Sequence, residues 1–354
     1  MSEFGVYVHI PFCRHRCDYC AFATWTDKDD LITDYVRAVC EDIARTRNKG
    51  LPVVDTVFFG GGTPTRIAPQ FIADIVSALP LSNSPEITVE CNPDDVTDEM
   101  MEIYAAAGVN RVSFGVQSMV PRVLKILGRT HNPDNVKASV DAARRAGISS
   151  INLDVMYGAA TETVDEWHTT VEQVIALGVT HVSAYGLTVE AGTPLALDPT
   201  RYPDDDDQAD KYMLTDQMLT LAGFENYEIS NWSRPGHQCR HNKVYWSQGN
   251  YQGFGCAAHS HADGRRWWNV RTPERYITCV RNGESVEAAD EVLDDETRAR
   301  EALELSLRTT EGVPVGVLDE EELAGLIERR GNQLVLTPQG RLLANEVILR
   351  LRPR

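Results

Sequence analysis

The sequence predicts an α/β fold: a partial (β/α)6 barrel followed by a small winged-helix-like C-terminal domain. Three observations lead there. Short apolar runs alternate with helical stretches of ten to sixteen residues through the first half of the chain, the pattern of parallel βαβ units. Residues able to bind ligands stand at the ends of those runs, where an α/β barrel keeps its chemistry. Past residue 293 the composition shifts and the alternation stops.

Taken in order, residues 6–10 read as a first strand that leads into a cysteine-bearing loop. Residues 31–46 read as an amphipathic helix with Leu31, Tyr35, Ala38, Val39 and Ile43 on one face. A strand at 55–59 ends in Gly60-Gly61-Gly62-Thr63-Pro64, and a helix follows at 69–79. Strands at 86–90, 111–115, 150–156 and 181–185 alternate with helices at 97–107, 133–146 and 164–177. Gly147 and Gly178 close the last two helices. Six strands make a partial barrel. The aspartate run at 204–207 reads as a solvated loop or helix start. A helix at 207–222 and a strand at 224–229 come next, and residues 231–263, rich in Gly, His and aromatics, read as irregular. Helices are expected at 294–308, 318–329 and 338–351, with a short β ribbon near 332–337. Thr337-Pro338 suits the start of the last helix. The chain thus divides into residues 1–200, the partial barrel; 201–290, an extension of it; and 291–354, the small domain.

Composition narrows the function. The formal net charge is −18, from 52 acidic and 34 basic residues. Nucleic acid binding rests on Lys and Arg neutralising phosphates, so the balance counts against such a partner. The chain shows no basic-headed apolar leader and no run near the ~18 apolar residues of a membrane span. A cytoplasmic protein with at most transient membrane contact is expected. Cys40, Cys91 and Cys279 fall within ordinary helix or strand patterns and read as buried thiols. Nothing on the surface signals an oligomer.

Cys13, Cys17 and Cys20 lie on one short loop, spaced by four residues and then three. Three thiolates so placed suit a 4Fe–4S cluster with one iron left free to bind a small molecule. A disulfide pair with a spare thiol fits a small secreted chain better, and zinc commonly takes four ligands in two pairs. The spacing resembles that of the radical S-adenosylmethionine (SAM) proteins, in which the SAM amine and carboxylate chelate the free iron. Further residues fit. The glycines at 60–62 allow close backbone approach to a ligand. Glu90 ends the third strand and can hold an ammonium or ribose hydroxyls. Gln117 ends the fourth and can hydrogen-bond ribose. Arg129 can pair with a carboxylate as a planar fork. Asp154, in an apolar strand, needs a partner; a ribose hydroxyl or a buried cation such as Arg129 would serve.

A second constellation spans residues 227–246 and 251–260. Imidazole or thiolate there could ligate a heme iron, and Trp or Tyr could stack on the porphyrin. His241, Cys239 and His237 are the leading candidates, and His259 and His261 remain open. The plainer alternative is that these side chains hydrogen-bond a long loop into shape.

At these residues the chain resembles the radical SAM proteins of heme metabolism, the oxygen-independent coproporphyrinogen III oxidases and, more closely, the heme chaperones. The resemblance covers nearly the whole chain, through residues 7–22, 60–64, 90–93, 114–118, 127–132, 154–158, 227–231 and 241–246. It implies one 4Fe–4S cluster on Cys13, Cys17 and Cys20, and SAM contacts from Tyr7, Gly61, Gly62, Thr63, Glu90, Gln117, Arg129 and Asp154. The oxidases carry a further cysteine two residues after the third, where this chain has Phe22. They also carry an extension ahead of the first strand. Both departures imply the chaperone branch, whose expected partners are heme and an apo-hemoprotein acceptor, respiratory in kind, without coproporphyrinogen oxidase activity. In that branch the segment 241–246 is associated with heme, which implies His241. The alternative is oxidase-type radical chemistry on coproporphyrinogen; a radical SAM enzyme of transfer RNA is disfavoured by the charge. After Gly158 the family's Pro–Gly turn is replaced by Ala159-Ala160-Thr161-Glu162-Thr163, predicting a loop of different shape.

Overall fold

The computed structural model describes residues 3–352. Six parallel strands run side by side in chain order: β1 (Gly5–Ile10), β2 (Val54–Gly61), β3 (Leu81–Cys91), β4 (Arg111–Gln117), β5 (Ser150–Tyr157) and β6 (His181–Gly186). Between them lie the helices α1 (Ile32–Asn48), α2 (Pro69–Ala78), α3 (Asp98–Ala106), α4 (Pro121–Ile126), α5 (Pro133–Arg145) and α6 (Val164–Ala176). The expected α/β partial barrel is what forms. Its strands are buried almost throughout because helices cover one face and the barrel interior the other. α1 buries Tyr35, Val36, Ala38, Val39 and Ile43; Leu31 stands just outside it, in a single 3₁₀ turn. Side-chain caps set the helix starts: Thr97 for α3, Asn132 for α5, and Thr163 with Glu166 as a capping box for α6.

The sheet grows beyond the barrel on both sides. α7 (Asp205–Leu221) starts in the aspartate run, with Asp204 as its cap and three aspartates in its first turn, where the helix dipole favours them. β8 (Asn231–Ser233) adds antiparallel to β6, and β7 (Glu225–Glu228) adds antiparallel to β8 at the edge. Beyond them α8 (Arg240–Trp246) packs against β2. On the other side β9 (Tyr251–Phe254) pairs parallel with β1, and β10 (His259–Ala262), β11 (Arg265–Asn269) and β12 (Glu287–Val292) follow antiparallel, giving twelve strands. α9 (Pro273–Asn282) packs on α1. Residues 231–263 are therefore not irregular. Their strands of three or four residues are too short to display a period, and Gly253 sits where a Cβ would meet the His259 carbonyl at 2.2 Å. The edge strand β12 carries Glu287, Asp290 and Glu291 and is mostly exposed, a charged edge that resists further pairing.

A second cluster of buried side chains gathers Leu307, Val313, Leu334, Leu336 and Val347. It joins α10 (Asp295–Leu307) to a three-stranded sheet, β13 (Val313–Pro314), β14 (Ile327–Arg330) and β15 (Gln333–Leu336), and to α11 (Pro338–Leu342) and α12 (Ala344–Ile348). The helix expected at 318–329 is absent. Gly325 and Gly331 both take positive φ, so the chain turns there and the stretch between them becomes β14. The helix expected at 338–351 breaks at Leu343, whose φ of −108° and ψ of 24° leave the helical region. Among the described residues no helix is long and apolar enough to cross a membrane.

Candidate functional site

The cysteine loop leaves the C-terminal end of β1. Its shape is fixed by the Cys13 amide donating to the Trp25 carbonyl at 2.9 Å, the Trp25 amide to Pro11 at 2.8 Å, and the Cys20 amide to Cys17 at 3.1 Å. All three cysteines are free thiols, Cys13 buried and the others half-buried. Thr63 Oγ1 donates to Cys13 Sγ at 3.5 Å, and Arg129 Nη1 to Cys17 Sγ at 3.7 Å. Burial pushes the Cys13 and Cys20 thiols up, a cost that bound iron would reverse by drawing off the proton. Among the described residues no three His, Cys, Asp or Glu side chains converge on a single-ion site. A four-iron cluster asks for something else, one thiolate on each of three irons, and three free thiols on one short loop supply that number.

The glycine turn at the end of β2 rests on β1. Gly61 has φ +105°, and a Cβ there would lie 2.2 Å from His9 Nδ1; one at Gly62 would lie 2.7 Å from the Ile10 carbonyl. No other residue fits. The amides of Gly62 and Thr63 are occupied by Ile10 and Phe12, and that of Gly61 donates to Glu90 Oε2 at 3.2 Å. What the turn offers a ligand is carbonyl oxygen, which suits an ammonium, and a carboxylate falls to Arg129.

Glu90 is pushed up to about 8, first by burial and then by the charge of Asp154. Asp154 accepts from Ser113 Oγ at 2.7 Å and Asn152 Nδ2 at 2.8 Å, and burial raises it as well. It is not the partner of Arg129, which donates from Nη2 to the Gly115 carbonyl at 2.7 Å and leaves a buried Nε with no partner. Two recessed carboxylates close enough to feel each other suit a cationic ligand group, and the under-used Arg129 guanidinium beside Cys17 suits a carboxylate. Gln117 sits at φ 63°, beside the irregularity in the β4–β5 pairing; such strain in a non-glycine residue is characteristic of binding sites. Its amide and the Arg129 guanidinium bracket Gly115. Tyr7 faces the same region, its hydroxyl 3.1 Å from His9 Nδ1. The structure thus joins the nominated residues in contacting pairs: Thr63 with Cys13, Arg129 with Cys17, Gly61 with Glu90, and Gln117 with Arg129 about Gly115.

The heme candidates are placed differently. His241 is fully buried, with Nδ1 2.9 Å from Thr56 Oγ1 and Nε2 2.7 Å from the Tyr245 hydroxyl. Burial, with the Arg111 charge beside it, lowers its pKa to about 3. Both ring nitrogens are engaged, so His241 is not placed to ligate iron. Cys239 is equally buried, its thiol donating to Glu86 at 3.6 Å and pushed up to about 12. Glu86 also accepts the amides of Arg240 and His241 at 3.1 and 3.0 Å. Together these bonds pin α8 across the N-terminal ends of the strands, as the plainer alternative held. His237 lies half-buried in the loop before it.

Sequence reasoning missed a cleft of about 820 Å³ between the end of the cysteine loop and the strands β9–β12. Phe22, Tyr251 and Trp268 line it, with Arg271 at its rim. The Trp267-Trp268 pair was the available signal, hidden in a segment with no recognisable strand pattern.

The fold and the site define a radical SAM protein. Residues 7–174 match the family model of the Radical SAM superfamily. The chain is 39% identical to the heme chaperone HemW of Mycobacterium tuberculosis over 98% of its own length and 94% of that protein's. It is 33% identical to HemW of Bacillus subtilis, over 97% of each chain, and 35% identical to that of Escherichia coli, over 98% of each. The chain belongs to the HemW family. Coproporphyrinogen III oxidase (HemN) of Escherichia coli shares its fold, with a TM-score of 0.85 at 20% identity, over 98% of this chain and 89% of that one.

Proposed function

We propose that this protein binds heme and passes it to hemoproteins that lack it, with a 4Fe–4S cluster and SAM housed in the partial barrel. The observation that carries the reading is the near full-length identity with heme chaperones. In this reading Cys13, Cys17 and Cys20 hold the cluster, which when bound supplies one electron to SAM at the iron left free. Arg129 holds the SAM carboxylate and steadies Cys17. The backbone of Gly61 and Gly62 and the ionised Glu90 take the ammonium, with Thr63 beside them, Gln117 and Asp154 take ribose hydroxyls, and Tyr7 closes the side of the site. Phe22, in the position of the oxidases' further cysteine, favours carriage of heme over decarboxylation of its precursor. Respiratory hemoproteins are the acceptors and the cytoplasm the place of work. The chain divides for these tasks at about residues 200 and 290.

The test is an anaerobic hemin titration of cluster-reconstituted protein, followed by mixing with an apo-hemoprotein. Saturation at one heme per chain, and movement of the Soret band to that of the acceptor, are the expected results. A Soret absorbance that grows without saturating would sink the reading.

A further inference from the structure

Resting on that reading, we propose that heme seats in the cleft between the cysteine loop and β9–β12, with the His259 imidazole as its axial iron ligand. The cleft's volume of about 820 Å³ lies within the ~300–1,000 Å³ of small-molecule sites. Phe22, Tyr245, Tyr251, Trp268, Leu293 and Leu305 give it a mostly apolar, aromatic lining, suited to a flat macrocycle. Phe22 is a large aromatic left 66% exposed, and a ring packed against it would cover it.

Three histidines line this cleft, and their bonding separates them. His9 is held at Nδ1 by the Tyr7 hydroxyl, at 3.1 Å, and at Nε2 by the Ala23 carbonyl, at 2.9 Å. His261 is held at Nδ1 by the Gly249 carbonyl, at 2.9 Å, and at Nε2 by the Gly264 amide, at 3.1 Å. His259 stands exposed on β10, and among the described residues burial alone acts on its ring, with no hydrogen bond. Its ring lies against Trp268, centroids 5.7 Å apart and planes 27° from parallel, so the imidazole is oriented without either nitrogen being used. Partial burial lowers its pKa, which keeps a lone pair available at neutral pH.

Charge supports the same pose. Heme carries two carboxylates on one edge, and a chain of net charge −18 repels them. Arg266 is shared between Glu291 and Glu301. Arg271 lies at the cleft's rim and, among the described residues, forms no ion pair. It is the group free to meet a propionate.

The test compares hemin titrations of the reconstituted wild type with His259→Ala and Arg271→Glu. Loss of the shifted Soret band in His259→Ala, with binding weakened roughly tenfold or more, is expected. Added imidazole should restore the band, which a merely structural role would not allow. Arg271→Glu should weaken binding with the band unmoved. Cluster iron content should be unchanged in both variants. Wild-type binding with an unaltered band and affinity in His259→Ala would overturn the assignment, as would failure of imidazole to restore the band. No saturable binding by the wild type would instead overturn the chaperone reading beneath it.

Discussion

At the scale of single residues, burial in the site favours the neutral form of its carboxyl groups. Glu90 is the clearest case, raised to about 8 by burial and by Asp154. A carboxyl with a raised folded pKa binds more protons folded than unfolded between its two pKa values. Its contribution to stability is present below the unfolded pKa and is lost as pH rises through the folded one. The melting temperature of the ligand-free protein should therefore fall between about pH 4.5 and 8, and Glu90→Gln should flatten that fall while weakening SAM binding. A Glu90→Gln profile as steep as the wild type's would assign the pH effect elsewhere. Residue type and strand-end position made Glu90 legible in the sequence, like the three cysteines. His241 was legible as a polar residue but not in its role. The Thr56 hydroxyl that occupies its Nδ1 is 185 positions away, and no local pattern announces such a bond.

Among the elements, the loop after β5 is tied to α7. Glu162 accepts the Gly158 amide at 3.0 Å and meets Lys211 of α7 at 3.2 Å. Both side chains are fully buried, and Asp207 approaches the same ammonium at 2.6 Å. The loop and α7 are thus joined by a buried ionic brace. Breaking such a pair from one side leaves a charge unpaired, so Lys211→Met should cost about 3 kcal/mol, read as a lower urea midpoint. A change within error would mean that the pair contributes nothing net. The barrel elements were legible because their helices are long and periodic. β9 to β12 were not, because four to six residues, interrupted by glycine or facing solvent, leave no period to read.

Over the whole molecule, the C-terminal unit is fastened to the rest of the chain at several places, among them the Thr310 amide on the Tyr227 carbonyl and the Arg266–Glu301 pair, and one ion pair between them is well shielded. Arg341 of α11 pairs with Asp216 of α7 at 3.0 Å, the two side chains only 12% and 15% exposed, and shares the Tyr212 hydroxyl at 3.2 Å. A bidentate pair this well shielded contributes more than a surface ion pair. Arg341→Ala should cost roughly 1–3 kcal/mol and show first as faster amide exchange across residues 308–352, with the barrel's core strands unaffected. Uniform exchange in the variant would mean that the other contacts between the two parts suffice to hold them. Because Leu293 and Leu305 reach from this side into the cleft, loosening the attachment should also reduce heme retention.

The bonds of α8 tie it to strands far away in the chain. Glu86 of β3 holds the Cys239 thiol and the amides of Arg240 and His241, and Thr56 of β2 holds the His241 ring. The helix therefore acquires its partners only once β2 and β3 stand side by side, which makes its seven residues a reporter of the assembled sheet rather than a seed for it.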